Sequence, residues 1–170
     1  MTIIVSPLSQ IHDVIRARRP SHMITLLDPE HLIDTPQAVA PERHLRLAVY
    51  DICAPIQHMT PPERRHVLQI LEFARSWHER EPLLVHCWAG ISRSTATAFI
   101  LACERNPHVP EQDIALRLRQ ASSTAYPNRR IVALADDILG RAGEMVRAVE
   151  AMGPNEASYE GEPFDLPARF

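Results

Sequence analysis

Residues 83–94, Leu83-Leu84-Val85-His86-Cys87-Trp88-Ala89-Gly90-Ile91-Ser92-Arg93-Ser94, read as a buried strand, a tight loop and the start of a helix. The apolar run is short and follows Pro82, as expected of a central strand in a parallel sheet. The loop after it makes an anion site on physical grounds. Wrapped at a helix N-terminus, it points several backbone N–H groups at one spot, where the helix dipole also favours negative charge. Gly90 allows the backbone to turn in closely. Arg93 adds a planar two-pronged donor matched to two phosphate oxygens. Cys87 stands at the mouth of this concavity, where a helix N-terminus and an arginine favour the thiolate. A thiolate is a competent nucleophile. A cysteine ahead of a helix is, taken alone, more often a buried structural residue. The company of His86, Gly90, Arg93 and Ser94 argues for the reactive reading.

Outward from this stretch, β-branched apolar runs alternate with helix-period segments, the pattern of an α/β fold with a mainly parallel sheet. Four strands are expected, near 3–5, 23–27, 45–49 and 83–86. Thr60-Pro61-Pro62-Glu63 reads as a helix start, with Thr60 as N-cap, and Val67, Ile70, Leu71, Ala74 and Trp77 follow at helical spacing. A helix from Arg93 or Ser94 should end at Asn106-Pro107. Another begins at Pro110, with Glu111 and Asp113 in its first turn. The last follows Pro127-Asn128 and carries Ile131, Leu134, Ala135, Ile138, Leu139 and Val146 on one face. These elements make a single domain, residues 1–152, with the phosphate loop between a central strand and a helix. Residues 153–170, rich in Pro, Glu, Ser and Gly, are expected to form a tail without secondary structure, with Tyr159, Phe164 and Phe170 as possible anchors.

Composition narrows the function. A chain of 170 residues with 45% hydrophobic residues suits one globular domain. A formal net charge of −3 gives no reason to expect nucleic acid or an anionic membrane as partner. No apolar run approaches the ~20 residues of a membrane span, and the first residues lack a signal pattern, so the cytoplasm is the expected location. Three cysteines, Cys53, Cys87 and Cys103, are an odd number at unpatterned spacing and suggest free thiols. The histidines show no paired-ligand spacing, so neither metal nor cofactor is expected.

His86-Cys87, five residues, then Arg93-Ser94 resembles the signature of the cysteine-dependent protein tyrosine phosphatases. Ala89-Gly90-Ile91-Ser92-Arg93-Ser94 is especially similar to the dual-specificity branch. The likeness runs more weakly from about Arg46 to Asn128. It implies a phosphatase that binds the phosphate of a protein or peptide, or another oxyanion, through Trp88, Ala89, Gly90, Ile91, Ser92 and Arg93. It also implies an aspartic acid that protonates the leaving oxygen and later deprotonates water. Asp51 occupies that place, about thirty-odd residues before the cysteine and just past a strand. Asp28, also after a strand, is its main competitor, ahead of Asp34 and Glu63. By the same resemblance Ser94 donates to the cysteine sulfur and His86 holds the loop, while Pro127-Asn128 braces it. Ser94 would also serve as a plain helix cap.

Other readings stay open. A phosphate-binding module without turnover would keep the loop, and a sulfurtransferase or arsenate reductase can share cysteine and arginine at this spacing. The order of residues argues against the low-molecular-weight phosphatase arrangement, since here the acid precedes a mid-chain cysteine. Phosphoinositide enzymes often carry lysines among the five loop residues, and Trp88 to Ser92 are uncharged. Phosphotyrosine is therefore favoured, with phosphoserine and phosphothreonine possible. Arg117, Arg119, Arg129 and Arg130 could make the rim basic. Cys53 could protect an oxidised Cys87 as a disulfide.

Overall fold

The structure, a computed structural model, describes residues 1–78 and 80–170. Five strands form one sheet: β1 (Thr2–Pro7), β2 (His22–Leu27), β3 (His44–Ala48), β4 (Leu83–Cys87) and β5 (Phe164–Pro167), in the order β3-β2-β4-β1-β5. The first four run parallel and β5 is antiparallel to β1. Alternation along the strands sorts the two faces. Ile3, Val5, Ile24, Leu26, Leu83 and Val85 face the larger core, beneath helices α2 (Arg64–Arg75), α3 (Arg93–Arg105), α4 (Glu111–Ala121), α5 (Arg129–Leu139) and α6 (Glu144–Ala151). Ile4, Met23 and Leu84 face a smaller cluster with Ile11, Val14 and Ile15 of helix α1 (Ile11–Arg18). Both faces of β4 are thus covered, which is why its run is apolar throughout.

The parallel register brings the C-terminal ends of β1, β2, β3 and β4 to one edge. Val5 pairs with Val85, Ile24 with Val85, and Leu26 with Leu47. Ligands of open α/β sheets bind at that edge.

Four expectations are corrected. Residues 153–170 are not without secondary structure: Phe164–Pro167 adds the fifth strand, with Leu166 and Ala168 fully buried. Leu166 alone, fully buried, is worth about 1.5–3 kcal/mol. Of the three suggested anchors, Phe164 packs on the core, while Tyr159 and Phe170 are exposed. The cap of α2 is Glu63 rather than Thr60. Its side chain accepts from the helix while His66 Nδ1 accepts from the Glu63 N–H at 3.0 Å, a reciprocal box that satisfies two orphan donors. The last expected helix is two. Gly140, at φ +65°, ends α5, and the Asp136 carboxylate accepts from the Gly143 and Met145 N–H groups at the start of α6. Helix α1 was not anticipated at all.

Candidate active site

At the C-terminal edge of the sheet, a cleft of about 480 Å³ is lined by the loop after β4 together with Asp28, His31, Asp51, Ser158 and Tyr159. The loop's shape follows from how its carbonyls are held. Trp88 O accepts from Leu8 N (3.0 Å), Ala89 O from Gly161 N (2.8 Å), Ile91 O from Tyr126 N (2.9 Å) and Ser92 O from Asn128 N (3.2 Å). A trans peptide carries its N–H opposite its C=O. Four carbonyls drawn outward to three different segments therefore turn the N–H groups of Ala89, Gly90, Ser92 and Arg93 the other way, toward the cleft, where they can meet an anion. Gly90 is required twice over. Its φ is +70°, and a Cβ there would stand 2.7 Å from Pro7 N.

Cys87 ends β4 at the cleft floor and is 1% exposed, with its Sγ 3.1 Å from Ser94 Oγ. Arg93 opens α3 and is 3% exposed. Its Nη1 donates to Asp28 Oδ1 and to Val49 O, both at 2.7 Å. Its Nε is buried with no hydrogen-bond partner, and Asp51 Oδ2 is 3.9 Å away. A buried guanidinium N–H left open beside the loop is suited to an incoming anion.

Asp51 and Asp28 both line the cleft and are differently engaged. Asp51 Oδ1 accepts from Ser92 Oγ (2.7 Å) and from Asn128 Nδ2 (2.8 Å). Asn128 is the pivot: its Oδ1 caps α5 by accepting from the Arg130 and Ile131 N–H groups, each at 3.1 Å. One residue thus ties the acid candidate and a helix through its side chain and the loop through its backbone N–H. Asp28 serves Arg93, with His31 Nδ1 3.9 Å from its other oxygen. His31 also meets the Trp88 ring edge-to-face, centroids 4.9 Å apart. Trp88 is 49% exposed at the rim.

His86 lies behind the loop in a buried chain of hydrogen bonds. Thr25 Oγ1 is 2.7 Å from His86 Nε2 and 2.7 Å from His44 Nε2, and His44 Nδ1 is 2.9 Å from Thr35 Oγ1. A hydroxyl has one proton, so Thr25 donates to one imidazole and the other must donate to it. Burial pushes both histidines down to about 4; at His44 the Arg46 charge adds to the lowering, and at His86 the Cys87 backbone partly opposes it. His86 is therefore a neutral structural group at ordinary pH.

The arginines proposed for the rim are elsewhere. None lines the cleft. Arg119 donates to the carbonyls of Ser123 (2.6 Å) and Ala125 (2.9 Å), Arg130 to that of Pro62 (2.6 Å), and Arg129 borders a separate cavity with Tyr126. Arg117 is exposed on α4. Cys53 is exposed and outside the cleft lining, and Cys103 is in the core, where burial raises its thiol pKa. His31, Ser158, Tyr159, Gly161 and the Thr25–His44 pair were missed. Each gains its place from tertiary packing rather than from a motif. Asp28 was named, but as a rival acid rather than as the partner of Arg93.

Sequence and fold comparisons identify the family and the fold. The protein-tyrosine phosphatase family profile matches residues 38–125, slightly more than half of the chain, and the chain belongs to that family. Among solved structures, DUSP15 superposes with a TM-score of 0.60 at 18% identity, covering 89% of this chain and 92% of its own. The human tyrosine phosphatase-like serine/threonine/tyrosine-interacting protein gives 0.59 at 19% identity, covering 81% and 87%. PTPMT1 in complex with PI(5)P gives 0.56 at 15%, covering 81% and 90%. At such identities the likeness is one of fold. A search of curated proteins found no significant match. Among the described residues no helix is long and apolar enough to cross a membrane.

Proposed function

We propose that this chain is an active, metal-independent phosphatase of the dual-specificity type, which hydrolyses phosphotyrosine in a protein or peptide through a cysteinyl-phosphate intermediate. The observation that carries the proposal is the open, buried Nε of Arg93 at the end of the same loop whose carbonyls are drawn outward. That arrangement leaves the loop N–H groups and one guanidinium donor unclaimed around Cys87.

In the first step the Cys87 thiolate attacks phosphorus and the ester P–O bond breaks. Asp51 gives its proton to the leaving oxygen. The loop N–H groups and Arg93 stabilise the charge spread over the phosphoryl oxygens. In the second step water attacks the cysteinyl phosphate, Asp51 takes the proton, and the P–S bond breaks. Ser94, 3.1 Å from the sulfur, donates a hydrogen bond to the departing thiolate. The five loop residues from Trp88 to Ser92 carry no charge, and no arginine outside the loop lines the cleft. This favours a phosphotyrosine substrate over a polyanionic inositol ring. A cytoplasmic location belongs to the same reading, because a reducing compartment keeps a nucleophilic thiol free.

Purified protein should hydrolyse a small aryl phosphate in the presence of chelator. Cys87→Ser should lose nearly all turnover yet still bind inorganic phosphate, and Arg93→Lys should be severely impaired because an ammonium lacks the planar fork. Chelator-sensitive activity that survives Cys87→Ser would overturn the reading. A higher kcat/KM for a phosphoinositide than for phosphotyrosine peptides, side by side in one buffer, would overturn the substrate assignment.

A further inference from the structure

The segment between α6 and β5 crosses the phosphate loop as a strap fixed at both ends. On the upstream side, Glu156 N donates to Ser123 O (2.9 Å), the Ser123 hydroxyl donates to the Glu156 carboxylate (2.6 Å), and Asn155 Nδ2 donates to Thr124 O (3.2 Å). On the downstream side, Gly161 N donates to Ala89 O (2.8 Å) and the Ser9 hydroxyl donates to the Glu160 carboxylate (2.6 Å), after which β5 pairs with β1. Gly161 is buried at this crossing, and a Cβ there would come within 3.1 Å of Thr124 Oγ1. Between the two anchorages lie residues 157–159, tightened by the Ser158 hydroxyl donating to Glu160 O (2.5 Å). Ser158 and Tyr159 line the cleft, and the Tyr159 side chain is fully exposed.

A fully exposed aromatic ring on a loop tied to the phosphate site gains by covering its face, and the cleft already carries the Trp88–His31 pair at its rim. We propose that Tyr159, carried by this strap, is a specificity-determining residue that packs against the aromatic ring of a bound phosphotyrosine. The inference rests on the phosphatase reading for its ligand and deepens it, by assigning aryl selectivity to a residue outside the phosphate loop. The strap's attachment to Ala89 sets the height of the ring above the phosphate, so Tyr159 should discriminate by the group attached to the phosphate and not by the phosphate itself.

The experiment is calorimetric titration of a phosphotyrosine peptide, the matching phosphoserine peptide and inorganic phosphate into Cys87→Ser, alone and combined with Tyr159→Ala or Tyr159→Phe. Aromatic pairs contribute about 0.5–1.5 kcal/mol beyond burial, so Tyr159→Ala should weaken the phosphotyrosine peptide roughly two- to twelvefold. Phosphate and the phosphoserine peptide should be affected little, and Tyr159→Phe should keep the wild-type affinity. Unchanged phosphotyrosine affinity in Tyr159→Ala would overturn the inference. So would an equal loss for inorganic phosphate, which would mark damage to the loop. Because binding is read in a variant that needs no turnover, a wild-type protein inert toward every phosphate ester would refute the catalytic reading alone. If Cys87→Ser binds phosphate but no phosphotyrosine peptide, the inference falls and the anion site stands.

Discussion

The turns that leave β2 and β3 open on the same sheet edge, and each delivers one aspartate to the cleft. Asp28 follows directly on Leu27 and reaches Arg93 Nη1 at 2.7 Å. Asp51 comes three residues after Ala48, and its nearer approach to Arg93 is 3.9 Å. Its other oxygen is held by the neutral donors Ser92 and Asn128. The same side chain is thus committed to the guanidinium in one turn and held beside the loop by neutral groups in the other. On the proposed mechanism, a carboxylate bonded directly to the arginine would orient it for phosphate, and one steered by a hydroxyl and an amide would keep its second oxygen for proton transfer. Residue type and sheet edge do not separate the two roles; the partners do.

Substitutions at the two turns can break this division. Asp51→Asn is expected to lower kcat by roughly 10²–10⁴-fold, the reach of general acid–base catalysis, and by less for a substrate whose leaving group needs no proton. Asp28→Asn removes a charge-assisted bond worth about 1.5–3 kcal/mol, so kcat/KM should fall about 10- to 150-fold whatever the leaving group. Steady-state kinetics on a series of aryl phosphates of graded leaving-group pKa distinguishes the two. If the leaving-group dependence appears in Asp28→Asn and not in Asp51→Asn, the assignments are exchanged.

Asn128→Ala tests the support of the second turn. Losing the cap should cost about 0.5–2 kcal/mol, a fall of about 1–8 °C in Tm for a domain of this size. It should also release Asp51, so its effect on kcat should be less than additive with Asp51→Asn in a double-mutant cycle. Additive losses would show that Asn128 does not act through Asp51.

The smallest effect concerns the strands beneath the turns, where Thr25 of β2 meets His44 of β3. Burial keeps His44 and His86 at about 4 in the fold, below the ordinary value near 6.5. The unfolded chain therefore binds more protons between these values. Their contribution to stability is complete above about pH 6.5 and is lost as the pH falls through 4. Thermal unfolding should show Tm falling across that window, with a shallower slope in His44→Asn. An identical slope in the variant would place the acid sensitivity elsewhere.

What could be read from sequence divides along a physical line. The strand–loop–helix unit around Cys87 was legible because its signals are local: an apolar strand ending in a cysteine, a glycine in the turn and an arginine at a helix start. The four parallel strands were legible from their apolar runs. Phe164-Asp165-Leu166-Pro167 carries no comparable signal, since four residues ending in proline become a strand only because β1 offers an open edge. The break between α5 and α6 was hidden because apolar residues continue at helical spacing past Gly140. Asp28 was visible as an aspartate after a strand. Its attachment to Arg93 depends on β2 lying beside β4, which is a matter of strand order.

The fifth strand also determines how the sheet ends. A parallel sheet closing on β1 would leave a row of unpaired N–H and C=O groups, a template for pairing with another chain. Here the row is filled by a strand of only four residues, preceded by Pro163 and ending on Pro167. Proline has no N–H to offer, so the new outer edge is short and interrupted. Asp165 on that strand is paired with Arg18 at 2.7 Å, which places charge on the outermost element. The molecule thereby carries its own protection against edge-to-edge aggregation.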